Sequence, residues 1–300
     1  MPHVFEKYSE FIPEFPLFRE ALLGPLPVHF RINLLKISPQ NLLPLLEDKG
    51  IQLGKSMEGD DTLYHAWNLD SPGNLLEYAL GYIHPQAFTS CLASKALSPG
   101  EGAYVLDMCA SPGGKTSHMS QLMNGSGLIV ANELYPSRQI PLGNTLERLG
   151  VMNAVITGYQ AQQFPMHQRF DFILADVPCS GEGRFRKLSD GYRYRETPRK
   201  EALPRLQKKI VLRGFDLLKE KGEMLYATCT YNPEENEGVV DFLLNHRDAK
   251  LLPIDLGIDH EPGILQWRDS KYDRELEKAA RFYPHHTNSV GFFMARIVRL

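Results

Sequence analysis

From residue 103 onward, short apolar runs alternate with longer amphipathic stretches. AYVLDM (103–108), LIVAN (128–132), NAVIT (153–157) and FDFILAD (170–176) are near-continuous apolar runs of strand length, bounded by turn residues. Such runs predict strands buried on both faces. A Gly-rich turn and a helix follow the first run, and a helix is predicted over Gln139–Leu149. A long helix carries Leu203, Leu206, Ile210 and Leu217 on its apolar face. EMLYATC (223–229) then predicts a strand, Glu234–Leu244 a helix, and GFFMARIVRL (291–300) a closing strand. Strands alternating with helices predict an α/β fold with a doubly wound, mostly parallel, Rossmann-like sheet.

The first part of the chain reads differently. VHFRINL (28–34) is β-rich, and Ser38-Pro39 offers an N-cap and a first-turn proline for a short helix, QNLLPLLEDKG, ending at Gly50. Polar turns follow at Gly59-Asp60-Asp61 and Ser71-Pro72-Gly73-Asn74. The pattern predicts a small N-terminal α/β domain over residues 1–82 and a second domain over 83–300. No internal repeat or low-complexity segment is present.

The chain has 300 residues, 43% hydrophobic and 23% charged, which suits a globular protein with a large core. No apolar run approaches the roughly 20 residues that cross a bilayer, so no membrane partner is expected. The start, MPHVFEKYSEF, lacks a basic region followed by an apolar one, so no secretory signal is expected. The four cysteines, Cys91, Cys109, Cys179 and Cys229, form no C-x-x-C pair. This argues against a disulfide framework or a zinc site and for reduced thiols in a cytoplasmic compartment. His285-His286 has no spaced carboxylate or cysteine partner and reads as a structural turn, so no metal is expected.

The net charge of −3 argues against a nucleic-acid partner, but the charge is uneven. Between Arg184 and Arg213 there are 11 Lys/Arg and 3 acids, a local +8, which predicts a phosphate-contacting surface. Within it, Gly191-Tyr192-Arg193-Tyr194-Arg195 interleaves aromatics with cations. It reads equally as a segment that stacks an unpaired RNA base and as an ordinary ordered loop.

In an open α/β sheet, ligands bind beyond the carboxyl ends of the strands. The first strand runs into Asp107-Met108-Cys109-Ala110-Ser111-Pro112-Gly113-Gly114-Lys115-Thr116. A phosphate-binding P-loop needs Gly where this chain has Cys109, and the dinucleotide pattern G-x-G-x-x-G is absent. An S-adenosylmethionine loop needs close backbone approach without a pyrophosphate cradle, and it fits. Glu133, directly after the second strand, is placed to accept hydrogen bonds from ribose hydroxyls. Asp107 reads as a loop organiser or a contact to the methionine end.

The fourth strand ends in DVPCSGEG (176–183) and the next in ATCTYNPEENE (227–237). Cys179 and Cys229 therefore lie at the carboxyl ends of neighbouring strands, over one cleft. A single cysteine is more often a buried core residue, as expected for Cys91. Two at matched strand ends suit covalent catalysis on a pyrimidine. C5 of cytosine is a weak nucleophile, and thiolate addition at C6 pushes electron density onto it. Asp176 is placed to stabilise the charge that builds on the ring, and Lys115 to favour the thiolate.

DMCASPGGKT, DVPCSGEG and TCTYNPEENE together resemble the Fmu/Sun (RsmB/RsmF-like) family of S-adenosylmethionine-dependent RNA (cytosine-5) methyltransferases. FRINLLK, GYIHPQAFTS and PHHTNSVGFFMAR echo it more weakly, so the resemblance spans nearly the whole chain. It implies a class I methyltransferase fold acting on rRNA or tRNA. It implies that Cys229 is the nucleophile and that Cys179 assists product release. It implies that Cys109, Ala110, Ser111, Pro112, Gly113, Gly114, Lys115, Glu133 and Asp176 line the cofactor, with Lys115 and Asp176 also near the target base. The family's Asp after the third strand, which holds the adenine amine, is Gln160 here; its amide oxygen can still accept that hydrogen bond. Many relatives carry an extra RNA-binding domain, and this chain resembles a compact member. Three rivals are an amino-directed methyltransferase, which needs no thiol, a non-catalytic RNA-binding or assembly factor, and a DNA cytosine methyltransferase. The last would use Cys179 as nucleophile.

Overall fold

The computed structural model of the chain describes residues 3–185, 187–188, 191–192 and 200–300. A four-stranded antiparallel sheet has the order β2 (Leu53–Lys55), β3 (Leu63–Ala66), β1 (Val28–Ile32), β4 (Ile83–Pro85). The helix Pro39–Glu47 buries Leu42 and Leu46 against Phe30, Ile32 and Tyr64 of this sheet.

The larger sheet is built around β5 (Tyr104–Asp107), β6 (Leu128–Asn132), β7 (Ala154–Thr157), β8 (Phe170–Asp176) and β11 (Leu218–Thr228). These five run parallel in the order β7-β6-β5-β8-β11. The middles of β5, β6 and β8 and the second half of β11 are buried, which is why they read as continuous apolar runs, whereas β7, at the edge, leaves Val155 and Ile156 exposed. Beyond β11 the sheet turns antiparallel through β17 (Phe292–Arg299). The other edge of β17 pairs with β16 (Ala280–Phe282), which carries β13 (Glu261–Pro262), and with β12 (Ala249–Leu252). The sheet is therefore mixed, and its parallel part is the stretch legible in sequence. Short ribbons, β9 (Lys187–Leu188) with β10 (Gly191–Tyr192) and β14 (Gln266–Trp267) with β15 (Ser270–Lys271), lie outside both sheets. Among the described residues no helix is long and apolar enough to cross a membrane.

The chain winds outward from β5 to β7, then crosses back to β8 and winds the other way. The crevice between the ends of β5 and β8 is thus a topological switch point, where such sheets bind ligands.

The expected division at residue 82 cuts differently in space. β4 begins at Ile83 and still belongs to the small sheet. The segment containing Phe5, Tyr8 and Phe18 instead packs on residues far along the chain, with Phe5 on Phe185, Tyr8 on Trp267 and Phe18 on Tyr231. These rings form an aromatic core of their own, closed by Tyr283.

Beside it, Arg281 and Glu237 form an ion pair that is 2% and 0% exposed, with Nε to Oε1 at 2.6 Å. Arg281 also donates to the Tyr231 carbonyl, and Glu237 accepts from the Ile264 amide at 3.1 Å. Removing one partner strands a buried charge. Glu237→Ala should therefore cost about 3–5 kcal/mol of stability, read as a lower urea midpoint with an unchanged slope.

Candidate active site

β8 and β11 are hydrogen-bonded neighbours with Asp176 opposite Ala227, so the turns that follow begin side by side. Cys179 and Cys229 meet there with their sulfurs 3.4 Å apart, both half-buried. Two buried carboxylates hold the turns. Glu235 Oε2 accepts from the Ser180 amide at 2.9 Å and from Gln207 Nε2 at 3.0 Å. Gln207, on the helix Leu203–Asp216, also donates to the Pro178 carbonyl. Glu182 Oε2 accepts from Tyr8 OH at 2.8 Å and from Thr230 Oγ1 at 3.1 Å. Ser180 Oγ and Thr230 Oγ1, 2.7 Å apart, join one cysteine turn to the other. The Gly183 amide donates to the Cys229 carbonyl at 2.9 Å, and a Cβ at Gly183 would collide with the Gly291 carbonyl. Glycine is therefore required at that crossing.

The two thiols differ in acidity. The hydrogen bond with Cys179 pulls the Cys229 thiol below its ordinary value against the opposing effects of burial and the Asp176 carboxylate, with Arg184 and Lys115 assisting. Cys179 is pushed well up by that bond, by burial and by the Glu235 carboxylate. Cys229 is thus the more acidic thiol of the pair.

Lys115 Nζ lies 2.7 Å from Asp176 Oδ2 at the mouth of the switch point. Burial alone would lower the ammonium, but the Asp176 carboxylate more than offsets it and Lys115 stays protonated. Asp107, at the end of β5, is 1% exposed; one oxygen accepts from Thr116 Oγ1 at 2.7 Å and the other, Oδ1, has no partner. Burial raises its carboxyl to about 7. The loop Cys109–Gly114 turns back beneath these groups. The Ala110 amide donates to the Asn132 carbonyl, and Gly113, at φ 102°, donates its amide to the Ala110 carbonyl. Ser111 and Arg138 exchange hydrogen bonds, and Pro112 is exposed. Burial holds the Cys109 thiol neutral. Glu133, 3% exposed, accepts from the Tyr135 amide at 3.1 Å and lies 3.5 Å from Arg138.

Sequence reasoning gathered Cys109–Lys115, Glu133, Asp176, Cys179 and Cys229 onto the carboxyl ends of β5, β6, β8 and β11, and they are found there. Gln160 differs: it is exposed, just past β7, and its amide oxygen accepts from Gln162 Nε2 at 2.8 Å. The histidine pair needs a correction. Glu14 reaches it from the other end of the chain, with its Oε2 3.4 Å from His286 Nε2, and one ligand atom from each of Glu14, His285 and His286 lies within 4.8 Å of the others. Sequence spacing could not show a carboxylate brought in by tertiary packing. Of Gly191–Arg195, residues 193–195 lie outside the described residues, as does much of the +8 stretch.

Several supporting residues were not anticipated. Asn132 donates to the carbonyls of Met108 and Tyr159 and accepts from Thr157 Oγ1 and the Tyr159 amide, so one side chain ties three strand ends together. Glu182 and Glu235 sit inside the cysteine motifs, where their fixed spacing was the available signal. Tyr8 gave none.

The family model described as 16S rRNA methyltransferase RsmB/F matches residues 94–298. Over 98% of its length the chain is 36% identical to the human 28S rRNA (cytosine(4447)-C(5))-methyltransferase, of which it spans 38%. Over 97% of its length it is 34% identical to the tRNA (cytosine(49)-C(5))-methyltransferase of Pyrococcus abyssi, of which it covers 94%. The solved structure of a methyltransferase homologue from Pyrococcus horikoshii aligns with all of this chain and 96% of that one, at 32% identity and a TM-score of 0.87. The fold is that of a class I methyltransferase. With two-thirds of its sequence under one family model and its whole length matched by relatives above 30% identity, the chain belongs to the RsmB/F methyltransferase family.

Proposed function

We propose that this protein is an S-adenosylmethionine-dependent RNA (cytosine-5) methyltransferase acting on rRNA or tRNA. The observation that carries the reading is the thiol pair at 3.4 Å, with Cys229 the more acidic of the two, beside the Lys115–Asp176 ion pair. The relatives named above support both RNA classes. Free thiols at the centre of the chemistry suit a reducing, cytoplasmic compartment.

The cofactor site fits the group assigned to it. Asp107 Oδ1 is a buried acceptor in want of a donor, and buried acceptors are rarely left so. Glu133 is a buried acid at the end of β6, placed for ribose hydroxyls. A Cβ at Gly114 would lie 3.1 Å from His84 Nε2, so the loop is closely packed there. S-adenosylmethionine, when bound, supplies the methyl group.

The chain's own residues then do the following. Cys229 Sγ adds to C6 of the cytosine, and the C5=C6 electron pair moves toward C5, making it nucleophilic. Asp176 contacts N3 and the exocyclic amine, accepting from the amine, and the Lys115 ammonium beside it offsets the negative charge that builds on the ring. Once C5 carries the methyl group, a base removes the C5 proton, the double bond re-forms and Cys229 leaves as thiolate. Cys179, held protonated, assists this release. The basic residues between Arg184 and Arg213 contribute phosphate contacts.

Calorimetry without RNA should show S-adenosylmethionine bound about 1–3 kcal/mol more weakly by Glu133→Ala, for lost polar contacts. Unchanged affinity would remove Glu133 from the site.

Alkylation should separate the thiols. Only the thiolate reacts, so Cys229 labelling by iodoacetamide should level off at a lower pH than that of Cys91, whose thiol burial pushes up to about 12. In Cys179→Ala the donated hydrogen bond is gone, and the Cys229 midpoint should move up. A midpoint that stays put would show that the sulfurs do not share a proton.

The cysteine variants test the reaction itself. Cys229→Ala should abolish methyl transfer and any covalent RNA adduct. Cys179→Ala should stall with methylated RNA attached to Cys229, a complex that survives denaturing electrophoresis. Adduct in Cys229→Ala and none in Cys179→Ala would exchange the roles; full activity in both would sink the thiol mechanism in favour of amino-directed transfer.

A further inference from the structure

The FRINLLK stretch takes no part in the chemistry above, yet three of its side chains leave the small sheet and reach the large one. Arg31, at the end of β1, donates through Nη2 to Ser117 Oγ at 2.9 Å and through Nη1 to Gln121 Oε1. Asn33 Nδ2 donates to the Leu149 carbonyl at 2.8 Å, and Lys36 Nζ to the Arg148 carbonyl at 2.7 Å. Arg148 and Leu149 end the helix Pro136–Leu149, which follows Glu133. Ser117 and Gln121 lie on the helix Gly114–Leu122, which opens from the cofactor loop.

Arg31 is the anomaly of the three. It is fully buried, and among the described residues no carboxylate pairs with it. Its Nε has no partner, and the ionisable groups around it are the Cys91 thiol, His84, His118 and the like-charged Arg148. Burial pushes its guanidinium down to about 10, so it is still a cation at neutral pH. A lone buried charge works against folding. What Arg31 adds is a rigid fork whose donors reach two successive turns of one helix. Ser117 Oγ donates onward to the Gly114 carbonyl at 3.0 Å, so the chain of bonds ends on the peptide of the loop glycine itself. The next residue is Lys115, bonded to Asp176. β4 backs the same glycine through His84, whose Nδ1 lies 3.0 Å from Arg148 Nη2.

We infer that Arg31 is a positioning residue for the cofactor loop, fixing Gly114 and the start of its helix through Ser117 and Gln121, so that the small N-terminal sheet sets cofactor affinity. This rests on the S-adenosylmethionine reading of the loop. Lys36 is the internal comparison, because it ties the same two units together at the far end of a different helix.

The test is calorimetric titration of S-adenosylmethionine into the full chain without RNA, with an unfolding midpoint for each variant. The unsubstituted protein must bind; if it does not, the reading of the loop fails and not the role of Arg31. Arg31→Met should weaken binding about tenfold or more, as expected for a lost charge-assisted hydrogen bond, with KM for the cofactor raised and kcat at saturation preserved. Ser117→Ala, which keeps Arg31, should weaken binding in the same direction and decides the matter if Arg31→Met does not fold. Lys36→Ala should lower the unfolding midpoint and leave affinity within about twofold, an energy difference below about 0.5 kcal/mol. Unsubstituted affinity in Ser117→Ala, or an equal loss in Lys36→Ala, would reduce Arg31 to a structural tie and overturn the inference.

Discussion

The sulfurs of Cys179 and Cys229 lie 3.4 Å apart, and a hydrogen bond between them makes one thiol the donor and the other the acceptor. Everything nearby fixes either the distance or the choice. The parallel register of β8 and β11 brings the turns together. The Ser180–Thr230 contact, with Glu182 and Glu235 behind it, keeps them from sliding. The choice follows first from the direction of the hydrogen bond itself; the Glu235 carboxylate then acts against the anion at Cys179, while at Cys229 Asp176 opposes it and Arg184 and Lys115 favour it.

The cofactor side obeys a different constraint. The reversal of winding between β5 and β8 opens the crevice, and backbone hydrogen bonds must close it again around a ligand. Asn132 performs much of that closure, using both ends of one amide to tie the loops after β5 and β7 to β6. An aspartate there would lack the two donated bonds, and an apolar residue would leave buried carbonyls unsatisfied. The neutral Asn132 is thus a main tie between the loops, while Arg138 adds a charged hydrogen bond to the Ser111 carbonyl.

What was legible in the sequence follows from burial. The central parallel strands β5, β6, β8 and β11 are covered on both faces and leave apolar runs that any hydropathy reading detects, and the half-exposed edge strand β7 was legible because it is apolar as well. β2 and β3 are short members of a half-exposed sheet, and β12 to β16 are two- to four-residue pairings with no run to detect. The cysteines, Lys115 and Glu133 were legible because they sit at strand ends within rigid motifs. Their supports were not, because Tyr8 reaches Glu182 across 174 residues and Glu14 reaches His286 across 272. Such contacts depend on the finished topology and leave no local pattern. Gln160 is a position inferred from spacing, and its exposed side chain bonds its neighbour Gln162.

The aromatic core around Tyr8 bears on how the chain folds. Phe5, Tyr8 and Phe18 meet Tyr231, Trp267 and Tyr283, partners that lie far along the chain. Contacts of such long range are slow to form, because the loop between them must close before any stabilisation is returned. The turn bearing Cys179 is anchored to Tyr8 through Glu182, so its final position waits on a contact that spans 174 residues of chain. A partly folded chain could thus hold its parallel strands in register while that turn is still unanchored.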